Sequence, residues 1–113
     1  MKVFITGGLG QIGSHVAEMF LDRDDEVWVI DNLATGRREH LADHPKLRVI
    51  EESITNKALL EELLSEFKPD ALVHAACSYK DPDDWYNDTL TNCMGGAILV
   101  DLAKQNKVKR FIY

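Results

Sequence analysis

Apolar and polar residues alternate in blocks along this chain. Val3 to Ile5, Val27 to Ile30, Leu47 to Ile50, Ala71 to Ala76 and Arg110 to Tyr113 are short, largely apolar runs bounded by polar or turn residues, and each reads as a strand. The run Ala71-Leu72-Val73-His74-Ala75-Ala76 is nearly uninterrupted, as expected of a strand covered on both faces of a parallel sheet. Between the strands the period becomes helical. Ile12, Val16, Met19 and Phe20 predict one helix face, and Leu60, Leu63, Leu64 and Phe67 a second at i, i+3, i+4, i+7, with Thr55 as its cap and Pro69 as its stop. A long helix is expected from Asp83-Asp84 to about Asn106, burying Leu90, Met94, Ala97 and Ile98, its acidic start favourable to the helix dipole. From Asn32 to Lys46 the period lapses into a polar loop with a helical turn around Arg38 to Leu41. Strands alternating with helices predict an α/β fold: a five-stranded parallel sheet in the order 3-2-1-4-5, flanked by helices.

The junction of the first strand and first helix carries the candidate chemistry. Thr6 to His15 reads TGGLGQIGSH, with Gly7, Gly10 and Gly13 three apart. Glycines so placed permit a tight turn, let the main chain approach a diphosphate and let the helix pack close to the strand. The free N–H groups at the helix start and the positive end of its dipole suit phosphates. The second strand ends in Asp31, roughly 20 residues past the glycines, where a carboxylate accepts hydrogen bonds from the hydroxyls of an adenosine ribose. That carboxylate would repel a 2′-phosphate, so NAD is expected over NADP, and Arg37 and Arg38 read as solvated loop residues. His15 and His74 lie on separate elements, and His74 reads as a structural histidine. Asp81, Asp83, Asp84 and Asp88 lack the glycine and spacing of a calcium loop, and no metal site is expected.

TGGLGQIGSH, DNLATG from Asp31 to Gly36, PDALVHAA from Pro69 to Ala76, the segment Asn92 to Gly95, and the closing KVKRFIY together resemble the extended short-chain dehydrogenase/reductase family. Within it the chain is most similar to the nucleotide-sugar epimerases and dehydratases of the UDP-glucose 4-epimerase group. Tyr79 to Asn92 is similar to epimerases of bacterial O-antigen sugar pathways, hence to lipopolysaccharide biosynthesis. The resemblance spans the whole chain and implies a Rossmann-type sheet with NAD as cofactor. It implies cofactor contacts at Gly7, Gly10, Gln11, Ile12 and Gly13, at Asp31, Asn32 and Gly36, and at the main chain of Ala75, Ala76 and Cys77. Lys80 is matched to a lysine near the nicotinamide ribose, and Asn92 to a position near the cofactor. Ser53 and Ile54 are matched to the adenine edge, where Glu52 replaces a glycine of the family pattern. The family also has a glycine in the turn after the first helix, so Asp24 or Asp25 is expected to take the left-handed conformation there.

The family's proton transfer uses a Tyr-x-x-x-Lys pair, and none exists here: Tyr79 is followed by Asp83, Tyr86 by Leu90, and Tyr113 is the last residue. The resemblance therefore implies that residues 1–113 are the NAD-binding, N-terminal portion of a longer epimerase or dehydratase. The catalytic segment and substrate domain would lie beyond it, no catalytic residue within it, and a nucleotide sugar would be a partner of the full-length protein only. The rival reading is a non-catalytic nucleotide-binding or structural α/β module. Phe111, Ile112 and Tyr113 on a sheet edge would favour self-association as a homo-oligomer.

Composition narrows the setting. At 113 residues and 45% apolar content the chain has the size of one domain. A net charge of −6 argues against nucleic acid and anionic membrane as partners. There is no apolar run near the ~20 residues that span a bilayer and no signal-peptide pattern, so a cytoplasmic location is expected. Cys77 and Cys93 are too few and too far apart for a zinc site and are expected to be buried free thiols.

Overall fold

The computed structural model of the protein describes residues Met1–Tyr113. Five strands, β1 (Lys2–Thr6), β2 (Glu26–Asp31), β3 (Leu47–Glu51), β4 (Ala71–His74) and β5 (Arg110–Ile112), form one parallel sheet in the order β3-β2-β1-β4-β5. The helices are α1 (Gln11–Asp22), α2 (Lys57–Phe67), and a continuous helical rod made of α3 (Trp85–Asp88), a π-helical segment (Thr89–Gly95) and α4 (Gly96–Gln105). A short 3₁₀ turn covers Arg38–His40 in the long loop after β2, where the sequence predicts it.

Period-two alternation divides the strand side chains between two cores. Val3, Ile5, Val27, Val29 and Val73 pack with Ala17 and Leu21 of α1 and with Leu9 and Leu41. Phe4, Trp28, Ile30 and Leu72 pack on the other face with Leu60, Leu64 and Phe67 of α2 and Leu99 and Leu102 of α4. Trp28 and Phe67 stack at 4.3 Å between ring centroids, and the Arg48 guanidinium lies over the Trp28 ring at 4.2 Å.

α2 buries the expected Leu60, Leu63, Leu64 and Phe67, whereas the faces of α1 and of the rod after β4 differ from the pattern-based expectation. In α1 the buried residues are Gly13, Ser14, Ala17 and Leu21, while Ile12 and Met19 are 74% and 68% exposed. Val16 and Phe20 of the expected face are half-buried against the same core, and small residues face the sheet at the helix start because a Cβ at Gly13 would already strike the Gly7 backbone. In the rod after β4, Gly95, Leu99, Leu102 and Ala103 are buried; Met94 and Ala97 are exposed, and Leu90 and Ile98 are half-buried. The π segment takes an extra residue into the turn, so the buried side moves from Leu90 to Gly95 before the ordinary spacing resumes.

Local chemistry sets the element ends. Asp24 adopts the left-handed conformation after α1, with φ of +67°, as expected for one of the two aspartates. The cap of α2 is Asn56, whose side chain accepts from the Leu59 amide at 3.2 Å; Thr55 instead bonds Ser53. Lys68 leaves α2 in the left-handed region just ahead of Pro69. Regular β4 ends at His74, although the Ala75 amide still donates to the Thr6 carbonyl at 3.1 Å.

Candidate functional site: the crevice between β1 and β4

The chain leaves β1 toward one side of the sheet and β4 toward the other, opening a crevice at their carboxyl ends. Gly7 makes the turn out of β1 at φ of +66°, and an added Cβ there would sit 2.7 Å from the Ala76 amide nitrogen. Gly13 returns the first turn of α1 over the same loop, and a Cβ there would meet the Gly7 carbonyl oxygen at 2.1 Å. Main chain thus packs on main chain on both sides of the turn. Gly10, the residue before α1, has ordinary extended backbone and no side chain to cap the helix. The first-turn amides of Gln11, Ile12 and Gly13 therefore have no intrahelical acceptor and face a cleft of about 1030 Å³.

Asp31 closes the second side. Its carboxylate is 7% exposed and accepts from two amides, Leu9 at 2.9 Å through Oδ2 and Leu33 at 2.9 Å through Oδ1. Each oxygen keeps a lone pair free for another donor. Gly36 packs directly behind this carboxylate, where a Cβ would lie 2.8 Å from Oδ1. Leu9 is a hub between the two loops. Its carbonyl accepts from the Arg37 amide at 3.0 Å and from His40 Nδ1 at 2.8 Å, and its side chain is fully buried. The glycine turn and the loop after β2 are therefore tied together, not merely adjacent.

At the β3 end, Glu52 folds its carboxylate back onto its own backbone and neighbours. It accepts from the Ser53 amide at 2.7 Å and from Asn56 at 3.3 Å. Ser53 in turn shares its hydroxyl with Thr55 at 2.8 Å. The opposite wall is Ala75 to Lys80, and it is held by the π segment. Asn92 grips the Ser78 main chain at both ends, accepting from its amide at 2.8 Å and donating to its carbonyl at 2.8 Å. Asn87 adds a bond to the Ser78 hydroxyl at 2.9 Å.

A sequence profile of the NAD dependent epimerase/dehydratase family matches residues 3–113. The chain belongs to that family. Among solved structures it is similar to the Bordetella bronchiseptica enzyme WbmH in complex with NAD+, with a TM-score of 0.97 and 63% identity over 99% of this chain and 38% of that one. Among characterised proteins it is 35% identical to UDP-glucuronic acid decarboxylase 1 of Arabidopsis thaliana, over 93% of this chain and 24% of the relative. It is 34% identical to a UDP-glucose 4-epimerase of Klebsiella pneumoniae, over 100% of this chain and 87% of that protein. The chain thus spans 24% of the decarboxylase and 38% of WbmH.

Most of the residues that the epimerase/dehydratase resemblance singled out share this one cleft. Gly7, Gly10, Gln11, Ile12 and Gly13 line its floor; Asp31, Asn32, Ser53 and Ile54 line one end; Ala75, Ala76, Cys77 and Lys80 line the far wall. Gly36 and Asn92 stand behind the lining, Gly36 backing Asp31 and Asn92 holding Ser78. Thr35, Arg37, His40, Glu52 and Thr91 also line the cleft. Arg37 is thus a lip residue, while Arg38 pairs with Asp43 and the Leu41 carbonyl. The two cysteines are free but exposed, contrary to expectation: Cys77 lies beyond the end of β4 on the cleft wall, and Cys93 faces outward from the π segment. No group of three or more His, Cys, Asp or Glu side chains is placed to hold a metal, and no helix is long and apolar enough to cross a membrane.

Proposed function

We propose that these residues bind NAD as the cofactor-holding portion of a nucleotide-sugar epimerase or dehydratase. The observation that carries the reading is the open helix start. Amides without acceptors, beside a glycine whose missing side chain leaves the approach clear, suit a diphosphate, and the Asp31 carboxylate at the end of β2 lines the same cleft, which supports its reading as a ribose acceptor. NAD supplies a hydride acceptor and donor when bound. This chain's part is to grip the diphosphate at the α1 start, accept ribose hydroxyls at Asp31 and present the main chain of Ala75 to Cys77 along the cofactor. The NAD complex of WbmH and the UDP-sugar enzymes among the relatives support the same reading.

Calorimetric titration tests it. NAD and ADP-ribose are expected to bind with similar affinity, since the lining residues chiefly meet the adenosine and diphosphate. NADP is expected to bind about tenfold or more weakly, because its 2′-phosphate faces the Asp31 carboxylate. Tighter binding of NADP would remove Asp31 from its assigned role.

Turnover is a separate matter. The three tyrosines are exposed at 69%, 77% and 86%, and none has a lysine four residues on. We infer that the proton-transfer pair and the sugar site belong to residues outside these 113. Incubation of the chain with NAD and UDP- or dTDP-sugars, followed by chromatography, is expected to show no product above a Gly10→Val control. Product above that control would mean that another base works within these residues.

A further inference from the structure

We propose that His74 is a positioning residue for the cofactor crevice, holding its two walls together through Thr6 only while its imidazole is neutral. The proposal rests on the NAD-binding reading of the crevice. His74 is the last residue of β4 and is 5% exposed. Its Nδ1 lies 2.7 Å from the hydroxyl of Thr6, the last residue of β1, and that hydroxyl also accepts from the Ala76 amide at 3.3 Å. One hydroxyl therefore joins the imidazole to the strand end that lines the far wall, at the point where Gly7 touches Ala76.

The other ring nitrogen has no partner. Nε2 is buried without a hydrogen bond, a Cβ added at Gly96 would lie 3.7 Å from it, and the rings of Phe111 and Tyr113 meet the imidazole edge-on at 6.4 and 5.2 Å. A neutral ring fits this pocket. An imidazolium would bring a charge into it, with a proton on both ring nitrogens and an acceptor only at Thr6.

No neighbouring charge offsets this. β1 and β4 carry no ionisable side chain toward His74 besides its own, since Lys2 is at the opposite end of β1. From β5 the only titratable group in contact is the Tyr113 ring, and Arg110 is exposed. On the helical rod, Cys93, Asp101 and Lys104 are exposed and half-buried Asp88 makes no bond to His74; on α2, Lys57, Glu61, Glu62 and Glu66 are exposed. Burial accordingly holds the imidazole below its ordinary value of 6.5. Below pH 6.5 the unfolded chain takes up a proton that the folded chain refuses, so stability falls with pH through that window until the folded ring is protonated. Protonation drives the ring from its pocket, and Thr6 and Ala76 lose the arrangement that fixes the wall.

The test compares the full chain with His74→Asn, whose amide can still meet Thr6, and His74→Leu, which cannot. NAD affinity of the parent is expected to fall as the pH drops from 7.5 to 5.5, by less than about tenfold because the folded ring resists protonation. His74→Asn should bind within a few-fold of the parent at pH 7.5 and lose most of that pH dependence, while His74→Leu binds more weakly at every pH. Parent and variants differ only at position 74, so the difference between their profiles belongs to His74. Amide resonances of Gly7 and Ala76, followed by NMR without NAD, supply a second readout that stands even if NAD does not bind. They should shift with His74 protonation in the parent and stay level in His74→Asn. Amides that stay level while the His74 ring titrates, or a His74→Asn profile matching the parent's, would overturn the proposal.

Discussion

Gly10→Val is expected to leave the chain folded and to lower its affinity for NAD by roughly 100-fold or more, about 2.7 kcal/mol, whereas Gly13→Ala is expected to prevent folding. The two glycines belong to one motif, yet they do different work. Gly10 has φ of −75° and ψ of 171°, a conformation open to any residue, and an added Cβ meets only the Gly7 carbonyl oxygen at 3.2 Å. The branches of a valine would project into the cleft that Gly10 lines, across the proposed approach of the diphosphate to the amides of α1. At Gly13 the Cβ strikes backbone at 2.1 Å, and backbone cannot rotate away as a side chain can. Separating α1 from the glycine turn would undo the packing of Ala17 and Leu21 on the sheet, at a cost of about 3 kcal/mol or more. Circular dichroism with urea unfolding should show a nearly unchanged Gly10→Val and a Gly13→Ala without a cooperative transition. Equal NAD binding by Gly10→Val and the parent would refute the site.

Asp31→Ala should cost both cofactor and stability. Removing the carboxylate takes away the proposed ribose acceptor and also strands the Leu9 amide, which belongs to a fully buried residue, while the Leu33 amide can turn to water. An unsatisfied buried amide costs about 1–3 kcal/mol, and the loosened tie between the two loops adds to it. The expected result is a loss of about 2–4 kcal/mol in urea unfolding, weaker NAD binding, and a narrower gap between NAD and NADP. Asp31→Asn should fall between, since its amide keeps one acceptor but points N–H groups at an N–H donor. Unchanged stability in Asp31→Ala would show that the carboxylate does not hold the Leu9 hub.

Much of this was legible in the residues themselves. Strand positions and order followed from apolar runs alternating with helical periods, and the glycines and Asp31 marked the crevice because a strand preceded one and ended in the other. What escaped was decided by contact, not by pattern. Ile12 and Met19 have the apolarity of buried residues, but Gly13 and Ala17 have the size that the gap beneath α1 admits. Asn56 took the cap from Thr55 because Ser53 had already engaged Thr55. The double duty of Asp31, and the grip of Asn92 on Ser78, depend on loop conformations that no spacing rule encodes. Cys77, expected as a buried thiol from cysteine number and spacing, is exposed because regular pairing stops three residues earlier.

The π segment of the long helix has a consequence for how substitutions there should be interpreted. Because it absorbs one additional residue, the rod behaves like a sentence read in two frames. Ahead of Thr89 and after Gly95 the same numerical spacing points to different sides. A single-residue deletion inside Thr89–Gly95 would merge the frames, swinging either the Asn92 grip or the Leu99 and Leu102 contacts out of line by about 100°. The irregular turn is thus a phase adjuster that lets one helix answer to two partners, a loop above and a sheet below.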